Sequence, residues 1–304
     1  MTISKIEQNH LEKLKTKLEG NVSYFKGKNV IYLDYPLHNN IGDHLIYLGA
    51  MQLLKKNNNK IVLQFNVINY NKDIVLKYQK KYDAIIVLHG GGNFGDIYSL
   101  HQEFRKQVIS DFPDIQVVIL PQSVHYQKLA NCDADLKFFK SENISVHVRD
   151  NGSFELLKSY GINVIKTPDC AHALIDVDIF KNHKSTNSNI LNFNRRDIEA
   201  VEVISDGFDW NDLLTPLDFF SLKIIKKTSS FPKLHLITTY LFKLFSNRLA
   251  KKALLFYKKF ETINTDRLHG YILAILTGKK VSNSDNSYGK IEKYKTLWMN
   301  TLDE

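Results

Sequence analysis

Arg267 and His269 stand two residues apart in Thr265-Asp266-Arg267-Leu268-His269-Gly270, between an apolar run at 260–263 and a helical pattern from Tyr271 to Leu276. A guanidinium offers a planar fork of donors to a carboxylate or phosphate, and an imidazole exchanges a proton near neutral pH. Thr265 or Asp266 is placed to cap the helix that follows, because a short oxygen-bearing side chain accepts the free N–H groups of a first turn. The backbone dipole at such an end already favours anions. The plain alternative for so short a match is a helix start with one surface Arg and one hydrogen-bonded His. The rest of the chain weighs against it.

A second cation, Arg149, ends the apolar strand 144–148. A charge there is tolerable where the strand stops at the surface or the charge finds a partner. An ion pair to Asp150 or a neighbouring carboxylate would satisfy it, and so would a bound anion. Lys290, on the polar loop 283–290, is placed to reach the same anion; a solvated lysine is its plain alternative. The third feature is His89-Gly90-Gly91-Gly92-Asn93, directly after the apolar stretch 83–88. Glycine is entropically costly, so a run of three marks backbone that approaches another group closely or takes positive φ. Such a loop can form a nest of N–H donors for an anion. It fits neither the dinucleotide fingerprint nor the P-loop. It is similar to the oxyanion loop of esterases, but no Gly-x-Ser-x-Gly elbow occurs in the chain, which excludes an ordinary α/β hydrolase.

These groups need elements to carry them. Apolar runs at 29–35, 60–66, 83–88, 116–120, 144–148 and 163–166 read as buried strands, with helical patterns at 44–56, 72–81 and 153–160 between them. Alternating strands and helices specify an α/β fold with a doubly wound parallel sheet, whose ligands bind beyond the strands' carboxyl ends. Asn40 and Asp43, Gly90 to Asn93, Gln122-Ser123 and Arg149 all fall at such ends. Asn40-Ile41-Gly42-Asp43 is a strand-to-helix turn able to present N–H groups, or a plain connection with Asp43 as cap. Residues 182–189 read as a linker, so the expected domains are 1–184 and 185–304. In the second, 189–194 reads as a strand opening onto Arg195-Arg196, 279–282 as a short strand and 291–298 as a closing helix. Residues 199–230 show no legible pattern.

The 304 residues are 43% apolar and 24% charged, ordinary for a globular protein. A net charge of +9 and a pI near 9.2 point to anionic partners. Nothing resembles a nucleic-acid module, and no His, Cys and carboxylate set has metal-ligand spacing. Asp176-Val177-Asp178 mimics a sugar-nucleotide Asp-x-Asp, a pairing common by chance. Cys132 and Cys170 are expected as buried small side chains in a reducing compartment. The N-terminal 20 residues lack the apolar core of a signal peptide, and no apolar run approaches the ~20 residues that cross a bilayer. A cytoplasmic protein is expected. The pattern at 234–260 is a basic amphipathic helix: a domain helix with a solvated face, or, at 241–260, a surface that lies on anionic lipid at the inner face of the membrane.

Taken together, Asn40-Ile41-Gly42-Asp43, Gly90-Gly91-Gly92-Asn93, Pro121-Gln122-Ser123, Val148-Arg149-Asp150 with Ser153, Thr265 to Gly270 and Asn286 to Lys290 resemble the polysaccharide pyruvyl transferase family. They keep the family's order over residues 30 to 300, and Arg-Leu-His-Gly with its apolar helix is the most specific. Residues 199–260 match no family pattern. The resemblance implies two Rossmann-like domains facing a cleft, as in GT-B glycosyltransferases. It also implies transfer of pyruvate from phosphoenolpyruvate, as donor substrate and without a cofactor, onto two hydroxyls of a sugar, leaving a cyclic ketal and phosphate. The acceptor would belong to a surface polysaccharide or its precursor, free or carried on a lipid. A donor with a carboxylate and a phosphate needs several cations or N–H donors. His269 is therefore expected to do the acid/base work, and Arg149 and Arg267 to clamp the donor. Gly90, Gly91, Gly92, Asn93, Asn40, Asp43, Ser123 and Lys290 would assist. Two other readings fit the same residues: a GT-B glycosyltransferase using a nucleotide sugar, and a non-catalytic protein docking on anions or membrane.

Overall fold

A computed structural model describes residues 5–180, 189–196, 207–283 and 289–299. In chain order these form α1 (Lys5–Val22), β1 (Asn29–Leu33), α2 (Ile41–Lys56), β2 (Lys60–Phe65), α3 (Lys72–Tyr82), β3 (Ile85–Leu88), β4 (Gly91–Gly95), α4 (Ser99–Asp111), β5 (Val117–His125), α5 (Leu129–Leu136), β6 (Ile144–Val148), α6 (Asn151–Ser159) and β7 (Val164–Lys166). A 3-10 turn over Cys170–Asp176 follows. Then come β8 (Ile190–Phe193), α7 (Pro216–Ser229), α8 (His235–Tyr257), β9 (Thr262–Thr265), α9 (Leu268–Leu276), β10 (Lys280–Asn283) and α10 (Lys290–Trp298).

The first seven strands make one parallel sheet in the order β2-β1-β3-β5-β6-β7, with β4 beside β5 beyond the end of β3. The apolar runs are continuous because both faces of this sheet are covered. Val30 and Tyr32, Val87 and Leu120 point into one core; Ile31 and Leu33, Ile86 and Ile119 point into the other, under α3 to α6. Beyond Asn189, β10-β9-β8 form a second parallel sheet among the described residues. The first core is shared: Leu45 and Leu53 of α2 pack in the same cluster as Phe242 and Leu249 of α8 and Ile272 of α9. Buried His44 of α2 ties the layers together, its Nδ1 2.9 Å from Ser246 Oγ and its Nε2 2.7 Å from the His38 carbonyl. Burial pushes its imidazole down to about 3, so it is neutral at pH 7.

Several expectations change. The glycine run is not a free loop: Gly91–Gly95 resumes as a strand against β5, with Gly91 at φ +133° and Gly95 at φ +127°. A Cβ at Gly95 would lie 1.7 Å from the His125 carbonyl oxygen, so close strand pairing explains this glycine. Pro121-Gln122-Ser123 lies inside β5 rather than after it. Helices α4 and α5 went unread because their apolar spacing is broken by polar residues. The cap of α9 is Arg267 itself; Thr265 Oγ1 accepts the Arg267 N–H at 3.1 Å, and Asp266 instead accepts the Arg195 N–H at 2.8 Å, joining β9 to the end of β8. The expected linker at 182–189 lies almost wholly outside the described residues. Both cysteines are free and buried, and Asp176 pairs with Lys15 and Lys56. No helix among the described residues is long and apolar enough to cross a membrane. In α8, Phe245, Leu249 and Leu254 are buried, so most of the apolar stripe read at 241–260 is core.

The packing of α2 against the 3-10 turn is close enough to test. A Cβ at Gly49 would sit 2.1 Å from the Cys170 carbonyl oxygen. Gly49→Ala gains up to about 1 kcal/mol of helix propensity but must push two backbones apart. We expect a net loss of about 1–3 kcal/mol, read as a lower urea midpoint with an unchanged slope.

Candidate active site

The carboxyl ends of both sheets open on one cavity of about 430 Å³. Asp34 follows β1, His89 and Gly90 follow β3, Arg149 follows β6, Arg195 and Arg196 follow β8, Arg267 follows β9, and Leu268 and His269 open α9. This is where a doubly wound sheet leaves backbone and side chains unpaired by its own ladder. The N-terminus of α2 closes one side. Asn40 caps it, its Oδ1 accepting the Gly42 N–H at 3.0 Å. Gly42 lets His269 approach: a Cβ there would lie 2.9 Å from His269 Nδ1. Asn-Ile-Gly-Asp is thus a cap, a glycine required by close approach, and a carboxylate in the cavity wall.

Asp169 organises the centre. It is fully buried at the end of β7, pairs with Arg149 Nη1, and lies 3.3 Å from His269 Nε2. Burial alone would raise its carboxyl; the His269 imidazole and the Arg149 guanidinium beside it more than offset this and hold it far below the usual carboxylate range. An ionised Asp169 accepts, so His269 Nε2 carries the proton it donates. The 3.4 Å approach of Arg149 Nη1 to the same nitrogen is then a contact between two donors. His269 Nδ1 is left with no protein hydrogen bond among the described residues, the arrangement in which a carboxylate orients an imidazole for proton transfer. Arg149 Nε donates to Ser123 Oγ at 3.0 Å. Its Nη2 carries no protein hydrogen bond among the described residues, and the side chain lines the cavity. From α10, Trp298 Nε1 donates to the Arg149 carbonyl at 2.8 Å, and Tyr294 Oη accepts the Asp169 N–H at 3.1 Å, bracing the pair from behind.

Arg267 is held otherwise than expected. Asp209 grips it bidentately, Oδ1 on Nε and Oδ2 on Nη2, both at 2.6 Å. The fork read as a donor clamp is therefore committed to an internal carboxylate, which also accepts the Arg196 N–H at 3.2 Å. Ser123 positions Arg149 rather than lining the cavity. Gly90, Gly92 and Asn93 do line it, whereas Gly91 is buried against Ile46 and Asp43. Asp43 lines the cavity with His38 Nε2 3.4 Å from its Oδ2; burial raises its carboxyl, and the imidazoles of His38, His269 and His89 pull it lower still. Asp150, the partner considered for Arg149, instead caps α6 through Ser153. Lys290 opens α10; its side chain lies outside the described residues, as does the loop 284–288.

Several groups escaped the sequence reading. Fully buried Arg105 of α4 stands behind the glycine strand, bonded to Asn93 Oδ1 at 2.5 Å and Gln102 Oε1 at 2.7 Å. Nearby, Asp34 takes φ +67° and receives His101 Nδ1 at 2.7 Å through Oδ1, while its Oδ2 and His89 Nε2 are buried without partners. Asp169 and Arg195 were findable, since both follow strands as Arg149 does. Asp209 follows a stretch outside the described residues and gave no signal.

The sequence profile of polysaccharide pyruvyl transferases matches residues 40–288. The chain belongs to the polysaccharide pyruvyl transferase family. EpsO of Bacillus subtilis, whose name assigns it provisionally to pyruvyl transfer, is 32% identical, over 94% of this chain and 90% of its own. Pyruvyl transferase 1 of Schizosaccharomyces pombe is 27% identical, over 92% of this chain and 73% of its own. An uncharacterized protein of Klebsiella pneumoniae has the same fold, with a TM-score of 0.64 over 95% of both chains at 20% identity. The chain is accordingly a transferase, and its family's profile covers every strand but β1 and every residue of the cavity lining but Asp34, Pro36, His38 and Asn39.

The Asp169 pair yields a stability test. Asp169→Asn leaves Arg149 buried without its counter-charge, a loss of about 3–5 kcal/mol at pH 7. Because the folded carboxyl is depressed, its contribution is complete above the unfolded value of about 3.9 and fades as pH falls below it. Urea unfolding of both proteins at pH 7 and pH 3 should show the gap narrowing in acid; a gap that widens in acid contradicts the assignment.

Proposed function

We propose that the cavity binds phosphoenolpyruvate and transfers its pyruvyl unit to two hydroxyls of a saccharide, forming a cyclic ketal and releasing phosphate. The observation that carries this reading is the meeting of Arg149 and His269, from different sheets, on one buried carboxylate, each with one nitrogen left for a ligand. An unpaired guanidinium N–H is a charge-assisted donor for a carboxylate or phosphate. An imidazole oriented by Asp169 can hand a proton to the donor's methylene carbon while a hydroxyl oxygen attacks the adjacent carbon. The second hydroxyl then adds at the same carbon as the C–O bond to phosphate breaks. One hydroxyl proton ends on the new methyl group in net balance, the other leaves with phosphate.

Arg267 shapes the wall through Asp209 and adds positive charge, while Gly90, Gly92 and Asn93 supply backbone at the opposite side. Asp34 and His89, which border the cavity, set the polar environment of the acceptor side. Burial pushes His89 down to about 4, so it is neutral and can accept. In this reading residues 1–184 and 185–304 act as two Rossmann-like units about the cavity, in the manner of GT-B enzymes; two parallel sheets presenting their carboxyl ends to it support that. The family supports a polysaccharide acceptor, named in part by its own description.

Two variants test the roles. His269→Ala should keep a thermal shift with phosphoenolpyruvate, because ligand binding to the folded form raises stability. It should lose phosphate release with acceptor by about 10²–10⁴-fold, the usual weight of a general acid. Gly42→Ala crowds His269 and should lower turnover at least ~10-fold with little change in donor binding. Wild-type turnover in His269→Ala removes the imidazole from the mechanism, and a shift with nucleotide sugars but not phosphoenolpyruvate would favour glycosyl transfer instead.

A further inference from the structure

The outward face of the α7–α8 hairpin is apolar and basic at once. On α7, Leu217, Phe220 and Ile224 follow a helical stripe and are 53%, 59% and 40% exposed; on α8, Ile237, Tyr240 and Leu244 do the same at 54%, 63% and 51%. Phe231, in the turn between the helices, is 56% exposed. The inward stripes, Leu222 and Ile225 on α7 and Phe242, Phe245 and Leu249 on α8, belong to the first core, so the hairpin is anchored on one side and bare on the other. Its base is locked by Asp218, which pairs with Arg248 Nε at 2.8 Å and with Lys252. Exposed apolar stripes on both helices of one hairpin call for an occupant.

Charge says which. Between Phe219 and Phe260 the chain has ten Lys and Arg and no Asp or Glu, while the whole protein carries +9. With Asp218 counted, the hairpin from Pro216 to Tyr257 carries +7, so most of the positive excess sits on it. Lys223, Lys226, Lys227, Lys233, Lys243 and Lys251 are exposed and make no ion pair among the described residues. A second copy of the same face would bring like charges together, which association disfavours. Anionic headgroups above an acyl layer satisfy both features, since basic residues gain from the surface potential while aromatic and aliphatic side chains enter the interface.

We propose that the outward face of α7–α8 docks the protein on an anionic lipid bilayer. The docking face lies in front of the stripe read at 241–260, whose later apolar residues are core. The 3-10 turn Trp210–Leu213, which brings Trp210 and Asn211 to the cavity wall, ends just before α7 begins at Pro216, so the docked hairpin adjoins the transfer site. The inference rests on the hairpin's surface and not on the identity of the donor.

Co-sedimentation of the full chain with vesicles tests it. Partition into phosphatidylglycerol–phosphatidylcholine vesicles should exceed that into pure phosphatidylcholine at least ~10-fold at low salt and fall as salt is raised. The triple variant Phe220→Ser, Tyr240→Ser, Leu244→Ser should bind the anionic vesicles at least ~10-fold more weakly, with wild-type circular dichroism and an unchanged thermal shift by phosphoenolpyruvate. The charge variant Lys223→Glu, Lys227→Glu, Lys233→Glu should lose the preference for anionic lipid. Absence of vesicle binding, equal binding to both lipids, or an unaffected triple variant each overturns the proposal. A dimer that the triple variant dissociates, without vesicle binding, assigns the face to a second copy instead.

Discussion

One buried carboxylate sets the terms for everything around the cavity. Asp169 is worth burying only because Arg149 and His269 reach it, and the Arg149 guanidinium is not tolerable at its depth without it. Those two residues come from sheets whose strands are far apart in sequence, so the ion pair also fixes how α9 sits against β6. Gly42 must lack a side chain for the same reason, and α10 crosses back to brace the Arg149 and Asp169 backbone. A change at any of these points is felt at the imidazole.

A second constraint is the close pairing of the glycine strand with β5. Read as an anion nest, the glycine stretch turns out to be backbone under close approach, Gly90 against the Pro121 carbonyl and Gly95 against the His125 carbonyl. Arg105 and Gln122 then fix Asn93 at the cavity edge through its side-chain oxygen. Buried Arg105 has no carboxylate partner among the described residues; the amide and carbonyl dipoles of Asn93 and Gln102 take that place, which keeps positive potential behind the floor of the site.

The first sheet was legible because both its faces are apolar, giving runs that only buried strands produce. The site was partly legible because polar groups gather where such strands end, and Asn40, Asp43, Asn93 and Arg149 do line the cavity. What could not be read was pairing. Nothing in the spacing of Arg267 shows that Asp209 will occupy its fork, or that Arg149 will choose Asp169 over the adjacent Asp150. The hairpin was half-legible: its basic character shows in the sequence, but which apolar stripe faces water depends on where the core lies. Helices α4 and α5 were missed because polar residues, buried Gln102 and Arg105 of α4 among them, interrupt the expected period.

The most direct measurement is a diffraction structure of the protein with phosphoenolpyruvate, or an unreactive analogue, bound. The account predicts a carboxylate or phosphate oxygen within hydrogen-bond distance of Arg149 Nη2, and the methylene carbon facing His269. A donor lodged elsewhere in the molecule, with Arg149 and His269 still closed only on Asp169, would contradict it.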